Sequence, residues 1–314
     1  LRPGAHQLSS SISDGSPIGV GNDNKGTMKI LITGAQGMLG QDLVKVFSSA
    51  GHDVIAASRA DLDITNQESV DSYIDKLKPE MIVNAAAYNA VDQIEEDEHF
   101  ERAMQINARG PLHLAQAADR VGAKFVHFGT DYVFDGQGNA HYLEDDQTNP
   151  ISRYGESKLK GEELAQNACD DTYICRVSKL FGMPGGGESA KENFVSLMFR
   201  LNQELDDLKI ADEEHGCPAY SPDVAQVTLD LIEGDYDPGI YHIVNEGEPV
   251  TVYGFAKEIF DMAGVTDNFR PVPRSDYPRA ANCPSYAPLK NTKLPKLRHR
   301  DEALREFLEK LGKI

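Results

Sequence analysis

Residues 28–47 read MKILITGAQGMLGQDLVKVF, and the rest of the chain takes its meaning from them. Ile30, Leu31 and Ile32 form an unbroken apolar run, the pattern of a parallel strand covered on both faces. Gly34, Gly37 and Gly40 follow at three-residue intervals and lead into a helix. In a strand–turn–helix unit of this kind the first glycine makes the tight turn. The second lets the backbone approach a diphosphate, and the third lets the helix pack closely on the sheet. The unpaired N–H groups and positive dipole end of the first helical turn form a ready anion site. A glycine-rich surface turn would need neither the buried strand before it nor the helix after it. The stretch is therefore read as a dinucleotide site.

Working outward, strand and helix patterns alternate. Strands are expected at 53–57, 81–84, 124–128 and 172–176, with helices at 66–77, 97–121 and 152–167 between them. This rhythm predicts an α/β fold with a doubly wound, Rossmann-type parallel sheet, in which ligands bind outside the strand C-termini. After residue 177 the rhythm loosens into a smaller C-terminal substrate-binding domain spanning mainly 178–314. Helices are expected there at 192–205, 222–232, 251–263 and 301–311. A strand at 239–244 returns to the first domain, which spans 28–177. Residues 210–221 read as a loop, and the proline-rich 269–295 as irregular. Residues 1–27 are rich in Ser, Gly and Asn and lack periodicity, so they read as a leader or a disordered extension.

The chain of 314 residues carries a net charge of −19, which argues against a nucleic-acid partner because phosphate binding needs a basic face. Its apolar runs fall far short of a membrane span. Cys169, Cys175, Cys217 and Cys283 are scattered without a C-x-x-C pair, so neither a metal site nor a disulfide framework is indicated and reduced thiols in a cytoplasm are expected.

The second strand should end beside the adenosine ribose, where an acid favours NAD and a basic residue accommodates the 2′-phosphate of NADP. Here it runs Ala56-Ala57-Ser58-Arg59, so Ser58 and Arg59 tilt the expectation toward NADP, with NAD as the alternative. Asp63 could accept from the adenine amino group or serve equally well as a helix-start residue. Tyr154 and Lys158, at i and i+4, share one helix face. A neighbouring ammonium should lower a phenol's pKa and make it a usable acid. The spacing recurs at Tyr253/Lys257 and Tyr286/Lys290; only Tyr154 follows a strand ending in Gly129-Thr130-Asp131, whose Thr130 hydroxyl would face the same cleft.

Gly34–Gly40, Asn84-Ala85-Ala86-Ala87, the stretch TDYVFDG at 130–136 and the Tyr154–Lys158 pair together resemble the extended short-chain dehydrogenase/reductases. Within them the similarity is to the dTDP-4-dehydrorhamnose reductases, over residues 28–294. That resemblance implies that Gly37, Met38 and Leu39 line the diphosphate and that Asp63 and Ile64 hold the adenine. Ala85, Ala86, Ala87 and Phe128 would line the cofactor cleft, and Thr130 and Asp131 would touch the sugar. It further implies Tyr154 as proton donor, Lys158 on the nicotinamide ribose and Asn107 in support of the lysine. The segment from Tyr277-Pro278-Arg279 through Tyr286, Leu289 and Asn291 resembles the family's substrate side.

Three places depart from the family pattern. Lys179 stands where a tryptophan is usual, EHGCP at 214–218 replaces Q-x-G-x-P, and Cys283-Pro284 replaces R-P. Lys179 is accordingly expected either to pair with a substrate phosphate or with Glu188 or Glu214, or to be solvated. The implied activity is NAD(P)H-dependent reduction of the C4 ketone of a nucleotide-linked 4-keto-6-deoxy sugar, with dTDP-4-dehydrorhamnose the leading substrate. A nucleotide-sugar epimerase or dehydratase of the same fold, and a regulatory subunit of methionine adenosyltransferase, are the alternatives. A nucleotide-sugar substrate is the expected partner and a homodimer the oligomeric expectation.

Overall fold

The protein is described by a computed structural model that covers residues 26–187, 192–265 and 268–314. Residues 1–25 of the expected leader, and Glu188, lie outside the described residues. In chain order the elements are β1 (Lys29–Thr33), α1 (Met38–Ser49), β2 (Asp53–Ala57), α2 (Gln67–Leu77), β3 (Met81–Asn84), α3 (Asp97–Ala103), α4 (Gly110–Val121), β4 (Lys124–Thr130), α5 (Arg153–Ala168) and β5 (Thr172–Val177). There follow α6 (Phe194–Glu204), β6 (Leu208–Ala211), α7 (Ser221–Glu233), β7 (Gly239–His242), α8 (Val252–Met262), β8 (Phe269–Val272) and α9 (Arg300–Lys310).

Among the described residues the main sheet has the order β2-β1-β3-β4-β5-β7, parallel throughout. The alternation of Ile30 and Ile32 against Leu31 explains its burial on both faces. Ile30 and Ile32 join a core with Leu39, Leu43 and Phe47 of α1 and Val224 and Leu229 of α7. Leu31 points the other way, onto Val70 and Ile74 of α2 and Leu114 and Ala118 of α4. The result is a three-layer α/β fold. A third apolar cluster gathers α6, α8 and α9 around Phe181, Phe255, Phe260 and Phe307.

Two sequence expectations change. The helix expected at 97–121 is interrupted by a π-helical turn, Met104–Arg109, between α3 and α4. The apolar periodicity passes through that insertion unbroken, so it left no signal in the sequence. The expected loop at 210–221 and irregular segment at 269–295 each give up residues to a small strand, β6 and β8, which pair in parallel as a separate two-stranded sheet. Each strand is too short for alternation to show, and Pro271 sits within β8.

Candidate active site

The strand order turns back between β1 and β3, which in an open α/β sheet is where ligands bind. Gly34, at the end of β1, has φ +67°, and a Cβ there would fall 2.5 Å from the backbone N of Ala86. Gly40 is equally committed, since a Cβ would lie 2.2 Å from the Gly34 carbonyl. Gly37 caps α1 without a side chain, and no acid occupies the first turn. The N-terminal amides of Met38 and Leu39 are thus left to a ligand, while the Leu39 side chain is buried in the core. The turn fits a dinucleotide diphosphate. A loop at 182–187 lies across it. Gln41 donates to the carbonyls of Met183 and Pro184 at 2.9 and 3.1 Å, and Gly185 presses on Gln36, whose carbonyl would meet a Cβ at 2.3 Å.

On the β3 side, Asn84 is fully buried. It accepts from Thr33 Oγ1 at 2.7 Å and from the Ala86 amide at 3.1 Å, and bonds His127 Nδ1 at 3.1 Å. Burial first, and the Lys158 charge second, hold His127 well below its ordinary pKa and therefore neutral. Ala85 and Ala86 are half-buried at the cleft and Ala87 is exposed.

At the end of β2, Arg59 is exposed and Ser58 half-buried, but Ser58 is already engaged. Its amide and hydroxyl donate to Asp61 at 2.8 and 2.6 Å, so the loop brings an acid back to the strand end. Asp61 lies past the strand-end run Ala56–Arg59 and was not expected there; the S-x-x-D spacing was its signal in the sequence. Asp63 accepts from the Thr65 amide and hydroxyl at 3.0 and 2.7 Å, the turn-forming role. The Ile64 side chain is buried against Gly110, so the adenine role implied for it does not suit that side chain.

Tyr154 and Lys158 lie on the first turns of α5, whose start is fixed by Ser152 accepting from the Gly155 amide. Lys158 is buried and donates to the Phe128 carbonyl at 2.6 Å. Burial pulls its pKa down to about 8, and the carboxylate of Glu162 resists that fall. The expectation that Lys158 lowers the Tyr154 pKa is not met. Burial, then the charge of Asp131, push the phenol above its ordinary value, while a hydrogen bond with Thr130 works the other way. Tyr154 is thus a protonated phenol across the neutral range. The look-alike pairs are placed elsewhere. Tyr253 packs on Phe269 in the third cluster while Lys257 pairs with Asp261, and Tyr286 packs on His215.

Asn107 sits in the π-helical turn, fully buried. It bonds both backbone groups of Tyr88, at 2.7 and 2.9 Å, and donates to Ser157 Oγ at 3.0 Å. It therefore supports the neighbour of Lys158 and the chain leaving β3.

The substrate wall holds the departures from the family pattern. Asp131 is buried; it accepts from Thr130 Oγ1 at 3.0 Å and from Ser178 Oγ at 2.6 Å. Burial raises its pKa, and the charge of Lys179 opposes that rise more than either hydroxyl does. Lys179 has φ +43°, unusual for a residue with a side chain, and its stem crosses Gly216, where a Cβ would meet Cε at 2.5 Å. Glu214, offered as a partner for Lys179, lies 3.6 Å from Arg274 and 3.8 Å from Arg279 instead. Arg279 forks onto Asp92 at 3.0–3.1 Å, tying the substrate-side segment to the loop after β3. Tyr132 reaches Cys283 Sγ at 3.5 Å and meets the Tyr154 ring edge-on at 5.3 Å. A cavity of about 830 Å³ opens beside Cys283, lined by Asp135, Gln137, His215 and Tyr286 among others.

A parallel sheet with a glycine turn at its switch point and a tyrosine–lysine pair across the cleft defines a dinucleotide-dependent reductase of the extended short-chain type. The RmlD substrate binding domain family matches residues 28–313, and the chain belongs to it. A dTDP-4-dehydrorhamnose reductase from Aggregatibacter actinomycetemcomitans is 39% identical over 279 residues, covering 85% of this chain and 92% of its own. The spore coat polysaccharide biosynthesis protein SpsK of Bacillus subtilis is 35% identical, covering 90% and 97%. The crystal structure of the Bacillus anthracis dTDP-4-dehydrorhamnose reductase in complex with NADP superposes with a TM-score of 0.84 at 31% identity, covering 90% of this chain and 99% of that one.

Proposed function

We propose that the protein reduces the C4 ketone of a nucleotide-linked 4-keto-6-deoxy sugar, dTDP-4-dehydrorhamnose first among them, with NADPH preferred to NADH. The observation that carries this reading is the Tyr154–Lys158 pair, set on α5 beside the end of β4 in a chain that matches the reductase family nearly end to end. A bound nicotinamide supplies the hydride. Tyr154, kept protonated by its surroundings, delivers its proton to the new alkoxide. Lys158 keeps N–H bonds free beyond the one given to Phe128, and with these it holds the nicotinamide ribose. Thr130 bonds Asp131 and lies in hydrogen-bond contact with Tyr154, and so aligns the Tyr154 hydroxyl.

In this reading residues 28–177 bind the dinucleotide and 178–314 mainly the sugar, with Arg279 and Asp92 closing one edge. Among the described residues no helix is long and apolar enough to cross a membrane; we place the enzyme in the cytoplasm, as a homodimer. The test is absorbance of NADPH against a panel of nucleotide 4-keto sugars. A reductase oxidises NADPH in stoichiometric amounts, and an epimerase or dehydratase returns its cofactor unchanged. Absence of turnover on every 4-keto sugar would overturn the proposal.

A further inference from the structure

Beneath Lys158 lies an ion pair that the reaction as written does not use. Glu162 stands one helical turn further along α5, and Arg176 faces it from β5. Both side chains are buried, at 1% and 3% exposure. The guanidinium forks onto the carboxylate, with Nε 3.0 Å and Nη2 2.8 Å from Oε2. Oε1 rests on the backbone of Gly129, so closely that a Cβ there would sit 2.1 Å from it. The preceding carbonyl, that of Phe128, is the one Lys158 holds. Lys158 thus bonds one residue of β4 and Glu162 lies against the next, both from one face of one helix.

Burial of such a pair adds little to stability, because desolvating two ions costs about as much as their attraction returns. Its position suggests another use. We infer that Glu162 is a positioning residue for Lys158, its carboxylate backing the ammonium where it is set against β4, with Arg176 holding that carboxylate in place. The inference rests on the role proposed for Lys158. The other groups facing the ammonium do not compete for this task. From β4 come the Phe128 carbonyl and the neutral His127, and from α5 comes Tyr154, a protonated phenol. Glu162 is the carboxylate that opposes the loss of charge on Lys158.

The test reads NADPH affinity of the free enzyme against pH, together with kcat/KM. In the parent both should weaken as pH rises through about 8, where Lys158 loses its proton. Replacing both partners, Glu162→Gln with Arg176→Met, removes the charges together and avoids an orphaned buried ion. The alkaline limb should then move down by about one pH unit, with near-parent affinity restored at pH roughly 6.5. Arg176→Met alone leaves Glu162 to Lys158 and should move the limb up. A merely structural pair would leave the limb where it was in both variants; that result overturns the inference. If the double variant does not fold, the upward shift in Arg176→Met decides, and its absence is equally fatal. Lys158→Met separates the two levels: full activity in that variant would discard the role of Lys158 itself, whatever Glu162 does.

Discussion

Thr130 gives its hydroxyl proton to the buried carboxylate of Asp131, 3.0 Å away. A hydroxyl has one proton, so while Thr130 gives it to Asp131 or to Tyr154 it cannot also donate to a substrate carbonyl. Thr130→Val should therefore reduce kcat by roughly 10- to 100-fold through a misaligned Tyr154, with KM for the sugar kept within about twofold. A KM that rises with little loss of kcat would show that Thr130 contacts the sugar after all.

Tyr154→Phe keeps ring and packing and removes the transferable proton. Turnover should fall by roughly 10²–10⁴ while NADPH still binds. Tyr253→Phe, at the same spacing from a lysine but in the third apolar cluster, should retain a near-parent rate. Equal losses in both would break the assignment.

Cofactor choice should be set by two residues of opposite sign at the end of β2. Arg59→Ala should weaken NADPH by roughly tenfold and leave NADH unchanged, because only the former offers a phosphate for a charge-assisted bond. Asp61→Asn, which removes the carboxylate that Ser58 holds, should do the reverse and improve NADPH. Dissociation constants for both cofactors in both variants check this; parallel shifts for NADH and NADPH would refute it.

The buried ammonium of Lys158 should pull binding and stability apart. Its folded pKa, about 8, lies below that of a free lysine. Between those values the unfolded chain binds more protons than the folded one, so this group's contribution to stability grows with pH. Under the role proposed for Lys158, cofactor binding needs the charge and should decline over the same interval. Thermal unfolding of parent and Lys158→Met from pH 7 to roughly 10 should show the difference between them widening in the parent's favour as NADPH affinity falls. A constant difference would place the lysine's titration elsewhere.

Lys179 is expected to act on Asp131. Lys179→Met should raise the Asp131 pKa further, since its largest opposing influence is gone, and bring an acid-side loss of kcat to higher pH. Lys179→Trp would supply a flat apolar face to a sugar. An unchanged pH profile in the Met variant, with a higher KM, would make Lys179 a direct substrate contact.

The fold was legible because Ile30–Ile32 and the three glycines each have a single structural use, and both periodicities act over long stretches. The small sheet of β6 and β8 was hidden because four-residue strands are too short to show a period. The site divided in the same way. Residue types at fixed spacing, such as Tyr154 and Lys158, were visible in one dimension. Their electrostatics were not, because those depend on burial and on groups distant in sequence. The rise in the Tyr154 pKa comes from burial and from Asp131, and the partners of Glu214 turned out to be Arg274 and Arg279.

Gly185 seated on the carbonyl of Gln36 has a consequence for how this enzyme can vary. The glycine turn and the loop after β5 are distant in sequence yet share one van der Waals boundary, so neither can drift alone. Any side chain at 185 must be matched by a retreat of the turn, and changes in the two stretches will not be additive. A chimera that takes its first strand, turn and helix from a relative must take that relative's loop as well.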